Sequence, residues 1–131
     1  MADQIPPGTI AWIDLTVANA PKLRDFYAAV TGWTPEPLDM DEYDDFVMNA
    51  ADGAPAAGIC HARGVNEGLP PVWLVYIAVD DLDEACARVE LCGGKVVVPP
   101  REAFTRYAVI QDPAGAMCAL YVPVQVEGIE S

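Results

Sequence analysis

Adding 62 to a residue number in the first half of this chain returns a residue of like kind in the second. Leu15 meets Ile77 and Val17 meets Val79; Asn19 meets Asp81; Gly32 meets Gly94; Gly53 and Ala54 meet Gly115 and Ala116. A constant offset with few identities marks a structural duplication. Strand phases, helix caps and helix stops must therefore recur together, which few folds allow. Ile13, Leu15 and Val17 alternate as a strand does. Asn19 can cap a helix that has Pro21 in its first turn. Leu23, Phe26, Tyr27 and Val30 recur at helical spacing, which predicts a face packed on a sheet. Gly32 and Gly94 are the expected stops.

Each half reads strand, helix, then three strands. The first spans about 9–17, 20–31, 33–39, 43–50 and 55–62. The second spans about 72–79, 81–92, 95–99, 106–111 and 116–122. Residues 63–71, rich in Gly and Pro, are the expected linker. The expectation is a single domain over 1–131, with one module at about 9–62 and the other at about 72–123.

The chain's 131 residues are enough to bury a core without disulfide staples. A net charge of −13 repels phosphate backbones and anionic membranes, which excludes nucleic acid and membrane surfaces as expected partners. No run approaches the roughly 18 apolar residues of a membrane helix, and the first residues do not read as a signal peptide. The four cysteines, Cys60, Cys86, Cys92 and Cys118, form no CxxC pair. A reduced, cytoplasmic chain is the expectation. His61 adjoins Cys60, but neighbours on a strand point to opposite faces, which argues against a Cys–His nucleophile. Asp39, Asp41, Glu42, Asp44 and Asp45 lack the order of a calcium loop and read as a solvated hairpin tip.

Four segments carry a resemblance: "DFYAAVTGW" at 25–33, "VYIAVDDLDEACARV" at 75–89, "CGGKVVVPP" at 92–100 and "DPAGA" at 112–116. In this order, within two βαβββ units, they resemble the vicinal oxygen chelate superfamily: glyoxalase I, bleomycin-resistance proteins and extradiol dioxygenases. The nearest likeness is to bacterial glyoxalase-like proteins. The resemblance implies an α+β fold of two βαβββ modules in tandem, with curved mixed sheets forming a cup and the helices outside. It also implies a homodimer, a means of covering sheet edges.

In metal-using members, four strand positions supply His, Glu or Gln ligands. Mapped on this chain by the family pattern, they are Trp12, Ala57, Leu74 and Ala119. Zinc or nickel needs imidazole, thiolate or carboxylate donors, and none stands there. The expectation is no metal and no cofactor.

Alternation then sorts the remaining side chains. Trp12, Asp14 and Thr16 should face the cup, as should Leu74, Tyr76 and Ala78. On the closing strands, Ala57, Ile59 and His61 are expected inside with Met117, Ala119 and Tyr121. Arg106 is a candidate to meet an anion there. The expected ligand site is Trp12, Asp14, Ala57, His61, Leu74, Tyr76, Ala119 and Tyr121, mainly apolar and aromatic. The expected function is a metal-free small-molecule binding protein for an apolar or aromatic compound. The alternatives are a glyoxalase-like lyase or isomerase with Asp14 or His61 as acid–base group, or a scaffold without a ligand.

Overall fold

In the computed structural model, which describes residues 5–102 and 106–123, the fold is α+β, two βαβββ modules in tandem. The first holds β1 (Ile10–Val17), α1 (Ala20–Thr31), β2 (Thr34–Asp39), β3 (Asp44–Asn49) and β4 (Pro55–His61). The second holds β5 (Trp73–Ala78), α2 (Leu82–Leu91), β6 (Lys95–Glu102), β7 (Arg106–Gln111) and β8 (Met117–Val122). A short 3₁₀ turn, Gly64–Asn66, lies between them. The described residues form two compact units, one of which is Trp12–Leu74. Among them, no helix is long and apolar enough to cross a membrane.

The first module's strands run in the order β2-β3-β4-β1, the second's in the order β5-β8-β7-β6. In each, the first and last strands pair in parallel and the other contacts are antiparallel. The outer strands β2 and β6 each carry two prolines, tolerated on edges because the missing N–H faces no partner.

Local chemistry places the helices. The Asn19 side chain accepts a hydrogen bond from the Lys22 N–H at 3.2 Å, and Asp81 accepts one from the Glu84 N–H at 3.0 Å. Each satisfies a donor that the helix start leaves open. Gly32 ends α1 at φ 81°. After α2 the left-handed residue is Gly93, at φ 94°, and not the expected Gly94. Gly94 is required for a different reason: a Cβ there would stand 2.7 Å from the Gln111 carbonyl oxygen.

The first core joins Leu15, Val17, Phe46, Met48 and Ile59 to Ala20, Leu23 and Tyr27 of α1. Phe26 and Val30 do not share it; they are 53% and 64% exposed. The buried stripe of α1 is centred on Ala20 and Tyr27, and the expected Phe26–Val30 edge falls to its side. The second core joins Ala108, Ile110 and Leu120 to Leu82 and Cys86 of α2, with Ile77, Val79 and Cys118 against it.

Candidate functional site on the helix-distal sheet faces

Strand register decides which side chains share a face. In the first module Asp14 pairs with Gly58, Leu15 with Ile59, Thr16 with Cys60 and Val17 with His61. Leu15, Val17 and Ile59 belong to the helix-side core. Asp14, Thr16, Gly58 and Cys60 therefore share the opposite, helix-distal face. Ala57 and His61, expected on that face, lie on the helix side instead.

The reason is a bulge. Asn49 pairs with Pro55 but Met48 pairs with Ala57, so β4 carries one extra residue there. The turn before it keeps the 62 offset: Ala50 N–H bonds the Ala54 carbonyl as Asp112 N–H bonds that of Ala116. Past the bulge the offset is 61, and every later side chain of β4 changes face. Gly58, beside Asp14, thus holds the place that Ala119 holds beside Tyr76.

The described residues bury three polar side chains, and all three belong to this face: Asp14 (7% exposed), Thr16 (6%) and Asp45 (7%). Asp45 is not part of a solvated tip. It follows Asp44 into β3, and its Oδ1 accepts the His61 N–H at 2.9 Å. The Cys60 thiol also donates to it. Burial raises the Asp45 carboxyl above its ordinary value, against the pull of these donors and of Arg63. Burial, with Asp14 and Asp45 nearby, pushes the Cys60 thiol far up, which holds it as a neutral donor rather than a nucleophile. The His61 ring packs edge-on against Tyr43 at 5.1 Å, and the Arg63 guanidinium lies 4.1 Å over the same tyrosine. His61 thus closes the hairpin end and stands apart from Asp14's face.

In the second module, Ile77 and Leu120 mark the helix side. Tyr76 pairs with Ala119, Ala78 with Tyr121, Tyr121 with Tyr107 and Tyr107 with Arg101. Two helix-distal rows result: Arg101, Tyr107, Tyr121, Ala78, and beside it Val98, Val109, Ala119, Tyr76. Tyr76 stands 6.1 Å from both Tyr107 and Tyr121. Burial raises the Tyr121 phenol. Tyr107 was missed in the sequence, although alternation along 106–111 from the apolar Ala108 and Ile110 would have found it. Leu74, 2% exposed, alternates with Trp73, whose ring meets Tyr27 and Trp33; Leu74 therefore points to the other face of its strand. Arg106 turns to the helix side, where it pairs with Asp83 of α2 at 3.1 Å and with Glu102 at 3.3 Å.

The structure thus brings Trp12 and Asp14 together in the first module, and Tyr76, Ala119 and Tyr121 together in the second. The residues do not fit a divalent metal of the family type. Indole, methyl and isobutyl side chains, or the bare Gly58, are no donors. Among the described residues no group of three His, Cys, Asp or Glu is placed to hold an ion.

Comparison with known proteins agrees with this architecture. The anthracycline biosynthesis protein DnrV of Streptomyces peucetius is 31% identical over 138 aligned positions, which cover 95% of this chain and 50% of that one. DauV of Streptomyces sp. strain C5 is 30% identical with the same coverage. The chain spans about half the length of the curated relatives it matches. A methylmalonyl-CoA epimerase of Streptomyces coelicolor, solved with 2-nitronate-propionyl-CoA, superposes with a TM-score of 0.57 at 16% identity, over 92% of this chain and 98% of that one. The epimerase of Mycobacterium tuberculosis gives 0.54 at 20% identity, over 98% and 96%. These likenesses show the shared fold. The family profile described as the Glyoxalase/Bleomycin resistance protein/Dioxygenase superfamily matches residues 9–120, and the chain belongs to that superfamily.

Proposed function

We propose that this chain is a metal-independent small-molecule binding protein whose ligand is apolar or aromatic and lies on the helix-distal face of the second module. The observation that carries it is the composition of the second module's rows. Three tyrosines, Tyr107 and Tyr121 among them buried, surround the buried small side chains Ala78 and Ala119: an apolar, aromatic lining with phenol tips where family metal users need donors. A homodimer and a cytoplasmic location go with this reading. A thermal-shift and calorimetric screen of planar aromatic compounds tests it: at least one should raise the melting temperature and titrate with a stoichiometry near one per chain. A screen with no response would overturn it. Light scattering that finds only monomer at micromolar concentration would remove the dimer.

A second reading has its own support. A buried carboxylate, Asp14, shares a face with the buried Thr16 and Asp45. Burial of polar groups away from the sheet's apolar side suits a lyase or isomerase in which Asp14 moves a proton. His61, on the other side of the sheet, does not take that part. Asp14→Asn separates the readings: it should abolish turnover in an enzyme while leaving a binding protein's ligand in place.

A further inference from the structure

The chain has seven basic residues against twenty acidic ones, so most guanidinium groups find a carboxylate. Arg24 pairs with Asp25, Arg88 with Glu84, and Arg106 with both Asp83 and Glu102. Arg63 lies over the Tyr43 ring instead, and Arg101 is different again. Its neighbour Glu102 is taken by Arg106, and among the described residues Arg101 makes no ion pair. Its guanidinium carbon lies 5.9 Å from the centre of the Tyr107 ring. That contact is near the outer limit of a cation–π attraction and leaves the fork's N–H donors for another partner.

Its position is made by a register slip. Val98 pairs with Val109, yet Arg101 pairs with Tyr107, so the Pro99-Pro100 step carries an extra residue on β6. Without the slip Pro100 would stand beside Tyr107. With it, the row across the sheet reads Arg101, Tyr107, Tyr121, Ala78: a cation at the outer end and phenols inward. An anion approaching a chain of net charge −13 is repelled at long range, so a local cation is what would admit one.

We propose that Arg101 anchors an acidic group on the ligand, which makes the ligand an aromatic acid: a planar ring on the tyrosine rows with a carboxylate at the guanidinium fork. This rests on the small-molecule reading above. An Arg–carboxylate pair takes two parallel hydrogen bonds, which fixes the ligand's direction as well as holding it.

The test compares 2-naphthoate with its neutral isostere 2-naphthamide by calorimetry on the full chain, with 2-naphthyl phosphate as a third arm. The acid should bind about tenfold more tightly than the amide, as a charge-assisted contact warrants, and added salt should narrow the gap. In Arg101→Gln the acid-to-amide ratio should fall to about one; Arg101→Lys, which keeps the charge but not the fork, should fall between. Melting temperatures of both variants show that they are folded. Equal binding of acid and amide to the wild type, or loss of both in parallel in Arg101→Gln, would overturn the anchor and leave the binding reading standing. No binding of any of the three to the wild type would count against both. Tightest binding of the naphthyl phosphate would replace the carboxylate by a phosphoryl group as the anchored class.

Discussion

The indole of Trp12 lies over Gly58. A Cβ placed on Gly58 would come 3.4 Å from Cζ2 of the ring and 3.1 Å from the Asp14 Cβ. The first strand thus occupies the space that a side chain at position 58 would need. Gly58→Ala should cost about 1–3 kcal/mol, because the Asp14 Cβ is fixed to the backbone and yields little. Gly68, with nothing within 4 Å of a built Cβ, is the control. Gly68→Ala should be neutral or gain about 0.4–1 kcal/mol through the unfolded chain. Urea denaturation of both variants measures the difference; equal midpoints would contradict the crowding.

Trp12→Ala asks whether the ring is a wall or a plug. The variant should remain folded, with a loss of at most about 3–5 kcal/mol. As a wall, the ring stacks on the ligand, and the variant should weaken any aromatic compound that the wild type binds. The opposite result, new binding of small apolar compounds that the wild type ignores, would make Trp12 a plug.

Asp45 makes stability depend on pH in an unusual direction. Its folded pKa is raised from 3.8 by burial, so in that window the folded state holds a proton that the unfolded state has released. Stability from this group is therefore fully present below the unfolded value and is lost as pH rises through the folded one. Asp45→Asn keeps an acceptor for the His61 N–H but cannot ionise. The difference in melting temperature, variant minus wild type, should increase from pH 4 to pH 7. A difference that shrinks over that range would mean that the carboxylate is stabilised, not strained, by its surroundings.

Purified protein should contain no stoichiometric transition metal, and EDTA should leave its melting temperature unchanged, since no folding energy is tied to an ion. Elemental analysis that finds one tightly held zinc, nickel or iron per chain would overturn the assignment of Trp12, Gly58, Leu74 and Ala119 as a set without donors.

Much of the fold was legible because its signals are local. Asn19, Asp81 and Gly32 act within one turn of chain, and the alternation of Tyr76, Ala119 and Tyr121 holds across β5 and β8. What escaped was register between strands. Nothing in Pro55-Ala56-Ala57 announces an extra residue, so Ala57 and His61 were placed on the wrong face and Cys60 was not considered a lining residue. Asp45 was read as solvated because its neighbours Asp41, Glu42 and Asp44 are charged. Its burial follows from pairing with β4, which no nearby residue encodes. Arg101 was hidden behind Pro99 and Pro100, which looked like the end of β6 but slide its register instead.

The extra residue at Ala56 gives the duplication an asymmetry that no count of substitutions would show. Were Ala56 taken into the ladder opposite Met48 instead of bulging out, β4 would slide by one: Gly58 and Cys60 would turn in toward α1, and Ala57, Ile59 and His61 would come to lie beside Asp14 and Thr16. The lining would trade a thiol for an imidazole without one codon being rewritten. Two sister modules of this kind diverge by insertion as much as by replacement, since a shift of one residue revises half of a strand's surface at a stroke.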